Sequence, residues 1–197
     1  MGLALWLDPS LVLLLVPVWL YLGLMSKEFF ARKWLKARPF TYMWTHMLIM
    51  PLIDLYATSC EWMVSGVAPP KGLAWFLLVS FFNGIVIEIG RKIRAPEGEA
   101  PGVETYTVLW GRRNAVLAWL GAMLLAATGA FLAARRIAMA TPVVLLLGTL
   151  LTASTIIAWC FLRQPAARQA RLFEPMAGLW TLCMYLGLGA VPLLVRV

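Results

Sequence analysis

The sequence predicts an all-α fold, a polytopic membrane helix bundle with about six transmembrane helices. Hydrophobic residues make up 62% of the 197 residues, and the mean hydropathy is +0.82, whereas a soluble domain is about 45–50% apolar. Several apolar stretches approach the roughly 20 residues that cross a bilayer. They do not alternate with polar residues as barrel strands do, so helices are the spanning structures. We expect one integral membrane domain over residues 1–197.

Six apolar stretches are the predicted spans, and prolines lie near most of their ends. The spans are Pro9–Met25, Phe40–Ala57, Leu73–Gly90, Asn114–Ala134, Thr141–Leu162 and Leu172–Val195. Pro51 and Pro175 lie inside spans and predict kinks.

The distribution of positive charge predicts the orientation of these spans. Thirteen of the 17 Lys and Arg residues fall in the loops 26–39, 91–113 and 163–171. By the positive-inside rule, this places the N-terminus outside and the three loops in the cytoplasm, for which we expect a bacterial cytoplasmic membrane. The net charge of +8 is thus a topology signal, and no nucleic-acid partner is predicted.

The first of these loops, "SKEFFARKWLKAR", mixes aromatic and basic residues. Phe29, Phe30 and Trp34 are mixed with five cations in residues 26–38. This pattern is typical of a helix on an anionic lipid surface. A plain positive-inside anchor explains it equally well, and both interpretations stay open.

The second loop follows the third predicted span and gathers charges of both signs. Glu88, Arg91 and Lys92 are spaced to share one helix face, and "RAPEGEAPG" then interrupts the helix. Carboxylates spaced along a loop suit Mg²⁺, and neighbouring guanidinium and ammonium groups suit phosphate oxygens. The sequence therefore predicts a binding site for a lipid diphosphate. The alternative is a solvated loop whose cations only set the topology. The predicted metal ligands are Glu97, Glu99 and Glu104, and the loop's predicted diphosphate ligands are Arg91, Lys92 and Arg94.

The stretch "EGEAPGVETYTVLWG" resembles the second aspartate-rich motif of the UbiA superfamily of intramembrane prenyltransferases, with Gly102, Thr105 and Gly111 in matching places. The loop "YLGLMSKEFFARKWLKAR" is similar to the family's Lys-Arg loop, which adds Lys33 to the diphosphate ligands. The family's aspartates are replaced here by nearby glutamates.

The resemblance implies helices four to nine of a nine-helix bundle and Mg²⁺-dependent transfer of a prenyl group from a prenyl diphosphate to an acceptor. The first aspartate-rich motif has no counterpart in the sequence. We therefore expect a truncated or split enzyme, with a partner supplying the other helices. The alternative is a non-catalytic membrane subunit or binding partner built on the same bundle.

Polar side chains inside predicted spans are costly in lipid and indicate functional positions. Four of them are candidates for lining a substrate cavity: Tyr42, His46, Asn83 and Glu88. His46 and Glu88 lie at comparable depths in neighbouring antiparallel spans, so a contact between them is predicted. A purely structural polar pair is the alternative.

Overall fold

A computed structural model describes residues 2–195, without the side chains of Leu3 and Val195. Within that range the chain is helical and contains no strand. It packs as two compact units, Met1–Phe81 and Phe82–Val197. A single domain over residues 1–197 stays a prediction.

The helices of the first unit are separated by short turns. They are α1 (Gly2–Leu7), α2 (Val12–Ser26), α3 (Arg32–Lys36), α4 (Pro39–Met47), α5 (Ile49–Trp62) and the first half of α6 (Leu73–Gly90). The second unit contains the rest of α6, then α7 (Tyr106–Leu109), α8 (Arg112–Arg136), α9 (Ala140–Arg163), α10 (Ala167–Ala170), α11 (Phe173–Tyr185) and α12 (Val191–Val195).

Five helical stretches in the described range are long and apolar enough to cross a membrane. They are Pro9–Ser26, Leu73–Gly90, Arg112–Arg136, Ala140–Arg163 and Ala167–Leu194. Each coincides with a predicted span, which confirms that the described chain is all-helical and that five of its helices have the length and apolar composition of membrane spans. The predicted orientation and the type of membrane stay predictions.

The remaining predicted span, Phe40–Ala57, which is the second along the chain, is divided into α4 and α5 at Leu48. Pro51 explains the break, because it has no N–H to donate to the carbonyl of Met47 one turn earlier. The two pieces have nine and 14 residues, shorter than the roughly 20 that one straight spanning helix needs. The count of six spans is therefore not confirmed.

Pro175 was expected to kink the last span, but it lies in the first turn of α11. The first turn of a helix has no earlier carbonyl for its N–H groups, so a proline there removes no helical hydrogen bond. The irregularity of this stretch lies further on, in the wider π-helical turn Leu186–Ala190 that precedes Pro192.

The first unit is held by packing between its long helices. Leu11 and Leu15 are buried against Tyr56, Cys60 and Met63 of the α5 region. This contact buries one side of α2 near its beginning and leaves most of its other side chains exposed.

The second unit packs around aromatic side chains that lie near the end of α6, where the charged loop begins. Trp119 and Phe173 are fully buried, with ring centroids 4.9 Å apart, and Phe161 lies 5.2 Å from Phe173. The Trp119 indole donates a 3.1 Å hydrogen bond to the carbonyl of Val86. These contacts fix the end of α6 against α8 and α11, and thereby the starting point of the charged loop.

Candidate functional site

The end of α6 carries a nearly buried carboxylate with two cationic partners. Glu88 is 5% exposed, and Lys92 Nζ lies 2.7 Å from its Oε1. Arg91 Nε donates to Glu88 Oε2 at 2.7 Å, and the Arg91 Nη2 atom pairs with the same oxygen. Arg91 and Lys92 lie just beyond Gly90, the last residue of α6, and both contact Glu88 as their spacing predicts.

Residues 91–105 form an ordered loop, because apolar side chains anchor it next to its charges. Ile93 and Ala95 are 0% and 1% exposed. The Tyr106 backbone N–H donates to the Lys92 carbonyl at 3.3 Å, which ties the start of α7 to the end of α6. The Tyr106 hydroxyl also donates to Glu88 at 3.4 Å. The predicted break of the helix is confirmed, and the resulting loop is packed against its own unit.

Glu99 is the carboxylate that organises the second half of the loop. The Thr105 hydroxyl donates to its Oε2 at 2.7 Å, and the Thr107 hydroxyl donates to its Oε1 at 2.5 Å. Thr107 Oγ1 in turn accepts the backbone N–H of Arg94 at 3.2 Å. Both threonines are buried. Glu99 and Thr107 therefore connect the first half of the loop, at Arg94, with its second half through hydrogen bonds between polar groups.

Glu97 makes a second long-range connection, to the short helix α10 at the start of the last candidate span. Its Oε1 accepts the backbone N–H of Ala167, the first residue of α10, at 2.7 Å. Hydrogen bonds from its own backbone N–H and from that of Ala167 lower the pKa of the Glu97 carboxyl from its usual value. Both bonds favour the ionised form, so Glu97 carries its charge at neutral pH.

The three predicted metal ligands therefore occupy different settings. Glu99 is half-buried beside two threonines. Glu97 is exposed and hydrogen-bonded to the first residue of α10, and Glu104 is exposed. Across residues 2–195, no group of three or more His, Cys, Asp and Glu side chains is arranged to hold a metal. A metal bound at this loop would be held by one or two carboxylates together with ligand oxygens, which is the usual arrangement for Mg²⁺ with phosphates.

The three residues that carry the family resemblance have clear conformational roles. Gly102 and Gly111 have φ angles of 81° and 78°, which side chains with a Cβ rarely adopt. Thr105 caps α7, and its Oγ1 accepts the Val108 N–H at 3.2 Å. Together they turn the chain from the charged loop into α7 and then into α8.

A surface cleft of about 560 Å³ at the start of α8 was not predicted as part of the site. It is lined by Trp110, Gly111, Arg112, Arg113, Asn114 and Leu162. From the sequence, Arg112 and Arg113 are predicted only to help set the topology. Their position directly after the Gly111 turn, at the start of a 25-residue helix, is the signal that could have identified the cleft.

In the first unit, His46 is held between a backbone carbonyl and a carboxylate. Its Nδ1 donates to the Tyr42 carbonyl at 2.8 Å, and its Nε2 lies 3.9 Å from Glu28 Oε2. The rings of Tyr42 and His46 stack with centroids 4.0 Å apart. Lys33 is exposed on α3. A direct contact of His46 with Glu88 stays a prediction.

Asn83 lies on α6 and is completely buried. Neither its Oδ1 nor its Nδ2 has a hydrogen-bond partner within residues 2–195. An unpaired amide inside a membrane helix is costly, which agrees with a functional position. Its role in lining a cavity stays a prediction.

Comparisons with protein-family models, with curated proteins and with solved structures find no match to this chain. The relation to the UbiA superfamily stays a prediction. It is carried by Gly102, Thr105 and Gly111 in the loop and by the basic residues around Lys33.

Proposed function

We propose that this chain is a UbiA-like prenyltransferase, or the part of one that carries the second motif, acting with a partner that supplies further helices. One observation supports the proposal above all others. The loop that follows a membrane-spanning helix has a defined structure, in which two glutamates, Glu97 and Glu99, are fixed by hydrogen bonds close in sequence to three cations. By the Lys and Arg distribution, this loop would face the cytoplasm.

The glutamates fit Mg²⁺ although both already accept hydrogen bonds. A carboxylate has about four acceptor positions. The threonine hydroxyls use one position on each oxygen of Glu99, and the backbone N–H groups of Ala167 and of Glu97 itself use two on Glu97. The remaining lone pairs are free to bind a cation, and the existing bonds orient both carboxylates in the way that supporting contacts orient metal ligands.

The cations of the loop fit the diphosphate. Arg94 is half-exposed, and its side chain makes no ion pair in the described part of the chain. Arg91 and Lys92 are 52% and 34% exposed, so each can reach a phosphate oxygen while Glu88 holds it in place. Lys33, in the basic loop of the first unit, stays a predicted diphosphate ligand.

The reaction would break the bond between the prenyl C1 and the diphosphate oxygen. The diphosphate leaves with the electron pair, while the acceptor forms a bond to C1 and loses a proton. Bound Mg²⁺ would neutralise charge that develops on the leaving group. The residues Arg91, Lys92 and Arg94 would bind and orient the same oxygens.

A non-catalytic membrane subunit is the second candidate, and the ion pairs of α6 favour it. Arg91 and Lys92 are both compensated by Glu88, so much of the loop's positive charge is already neutralised. In this alternative the carboxylates and cations would serve only to hold the loop in shape. The two functions differ in whether the loop binds a prenyl diphosphate.

The proposal is tested by titrating the detergent-purified chain with farnesyl diphosphate, with and without Mg²⁺, in a calorimeter. We expect Mg²⁺-dependent binding that weakens by at least about 10-fold in Glu99→Gln, because a fixed carboxylate ligand is lost. Glu61→Gln is the matched control, since Glu61 is exposed at the end of α5 and far along the sequence from the loop. If the affinity for farnesyl diphosphate is the same with and without Mg²⁺, and is unchanged in Glu99→Gln, the proposal is contradicted and the non-catalytic subunit is favoured.

A further inference from the structure

The basic segment, residues 27–38, directly follows the first candidate membrane-spanning helix, Pro9–Ser26. Its five cations are exposed, and none of them forms an ion pair within the described residues. They are Lys27, Arg32, Lys33, Lys36 and Arg38. Five unpaired cations next to a spanning helix give this surface a strong positive potential at the edge of the bilayer.

An unusual backbone turn removes the segment's one acidic side chain from this surface. Glu28, Phe29 and Phe30 have φ angles of 52°, 51° and 56°. Three consecutive non-glycine residues in the left-handed region are unfavourable and persist only where surrounding contacts stabilise them. A right-handed helix would instead have placed Glu28 one turn from Arg32, where the two charges pair.

The contacts of Glu28 and Phe29 show what stabilises the turn. Glu28 accepts a 3.4 Å hydrogen bond from the Tyr42 hydroxyl, and its Oε2 lies 3.9 Å from His46 Nε2. The Phe29 ring packs edge-on against His46 and Tyr21, at 5.7 Å and 5.3 Å between centroids. The carboxylate therefore faces the interior of the first unit.

The same turn leaves two aromatic side chains outside. Phe30 is 81% exposed and Trp34 is 50% exposed, while Leu35 of α3 is only 2% exposed. The Arg38 guanidinium lies over the Trp34 ring, 4.5 Å from its centroid. Exposed aromatic rings surrounded by cations are the composition of a surface that binds at the boundary of headgroups and acyl chains.

We propose that the basic segment is a docking surface for anionic phospholipid headgroups. The exposed cations bind the lipid phosphates, and Phe30 and Trp34 enter the region between headgroups and acyl chains. The inward position of Glu28 makes the surface purely cationic, which is the observation that the sequence pattern could not supply. The lipid-binding surface shares only Lys33 with the proposed prenyltransferase site, and the variants below leave Lys33 unchanged.

The test measures binding of fluorescent phosphatidylglycerol and fluorescent phosphatidylcholine to the detergent-purified chain. Each Lys or Arg near an anionic lipid surface contributes about 1 kcal/mol, or about five-fold in affinity. The triple variant Lys27→Gln/Arg32→Gln/Lys36→Gln should therefore weaken phosphatidylglycerol binding on the order of 100-fold. The control Lys71→Gln/Arg135→Gln/Arg136→Gln removes three exposed cations elsewhere in the chain and should leave binding nearly unchanged. Equal losses in the two triple variants, or equal affinity for the two lipids, would overturn the proposal.

Two further variants test the details of the surface. Both are expected to fold, because Phe30 and Trp34 are exposed and Glu28→Gln keeps the size and shape of its side chain. Phe30→Ser/Trp34→Ser should weaken phosphatidylglycerol binding without changing its dependence on salt concentration. Glu28→Gln should leave the affinity unchanged, since its carboxylate faces His46 and Tyr42. A gain of about five-fold, the effect of removing an opposing surface charge, would contradict the inward position of Glu28.

Discussion

Gly90 ends α6 at a point where three neighbours leave no room for a larger residue. A Cβ built on Gly90 would lie 2.9 Å from Ala177 Cβ, 3.1 Å from Trp119 Nε1 and 3.2 Å from the Phe173 carbonyl oxygen. Ordinary contacts between carbon atoms are about 3.5–4.0 Å long. Two of the three neighbouring groups are held in place, since one is backbone and the Trp119 indole donates to the Val86 carbonyl.

Gly90→Ala should therefore lower the free energy of unfolding. Overpacking a dense core costs about 1–3 kcal/mol, while alanine gains up to about 1 kcal/mol over glycine in a helix. Because the clash involves fixed groups, we expect a net loss of about 1–2 kcal/mol. The loss would appear at the contact that positions the charged loop.

The measurement is SDS-induced unfolding of the detergent-purified chain, followed by tryptophan fluorescence. Gly121→Ala is the matched control, since Gly121 is also helical and a Cβ there meets nothing within 4 Å. The control should be neutral or stabilising by up to about 1 kcal/mol. Equal stability of the two variants would refute the close packing of α6 against α8 and α11.

Three further predictions concern the loop itself. Glu88→Gln should destabilise the chain by about 1–3 kcal/mol, less than the loss of a fully buried pair, because both cationic partners are partly exposed; SDS unfolding measures it. Thr107→Val should cost about 1–3 kcal/mol by leaving two polar groups unpaired, whereas Thr128→Val, exposed on α8, should be nearly neutral in the same assay. The lowered pKa of Glu97 stabilises the fold above the unfolded-state pKa, and this contribution is lost as pH falls through the folded-state pKa. Stability should therefore fall more steeply in acid for the original chain than for Glu97→Gln, and identical acid profiles of the two would contradict the bond to Ala167.

The general architecture could be predicted because a bilayer leaves few choices for a long apolar segment. Five of the six predicted spans coincide with helices of sufficient length and hydropathy. The segment Phe40–Ala57 is the exception, since its composition is apolar but Pro51 interrupts its hydrogen bonding and the helix divides at Leu48. Composition predicts where a chain prefers lipid, whereas helix continuity depends on individual backbone donors.

The charged loop was predicted in part. The ion pairs of Glu88 follow from its spacing to Arg91 and Lys92, which depends only on helix geometry. The partners of Glu97 and Glu99 did not follow, because Ala167 and the threonines reach them through tertiary packing. Spacing therefore identified the acidic residues, and only the structure separated them into different settings.

The basic segment shows the strongest disagreement between local pattern and structure. The sequence "SKEFFARKWLKAR" favours a right-handed helix, in which Glu28 would remain among cations on the surface. The left-handed turn at residues 28–30 instead directs Glu28 toward His46 and Tyr42. No local preference predicts such a turn, because its stabilisation comes from rings on α2 and α4.

The most direct test of the proposed function is whether a divalent ion and a prenyl diphosphate occupy this loop together. Mn²⁺, which substitutes for Mg²⁺, can be followed by electron paramagnetic resonance as farnesyl diphosphate is added to the purified chain. We expect that bound Mn²⁺ appears only with the diphosphate and is lost in Glu97→Gln/Glu99→Gln. Mn²⁺ binding that is equal with and without the diphosphate, or unaffected by removal of both carboxylates, would contradict it.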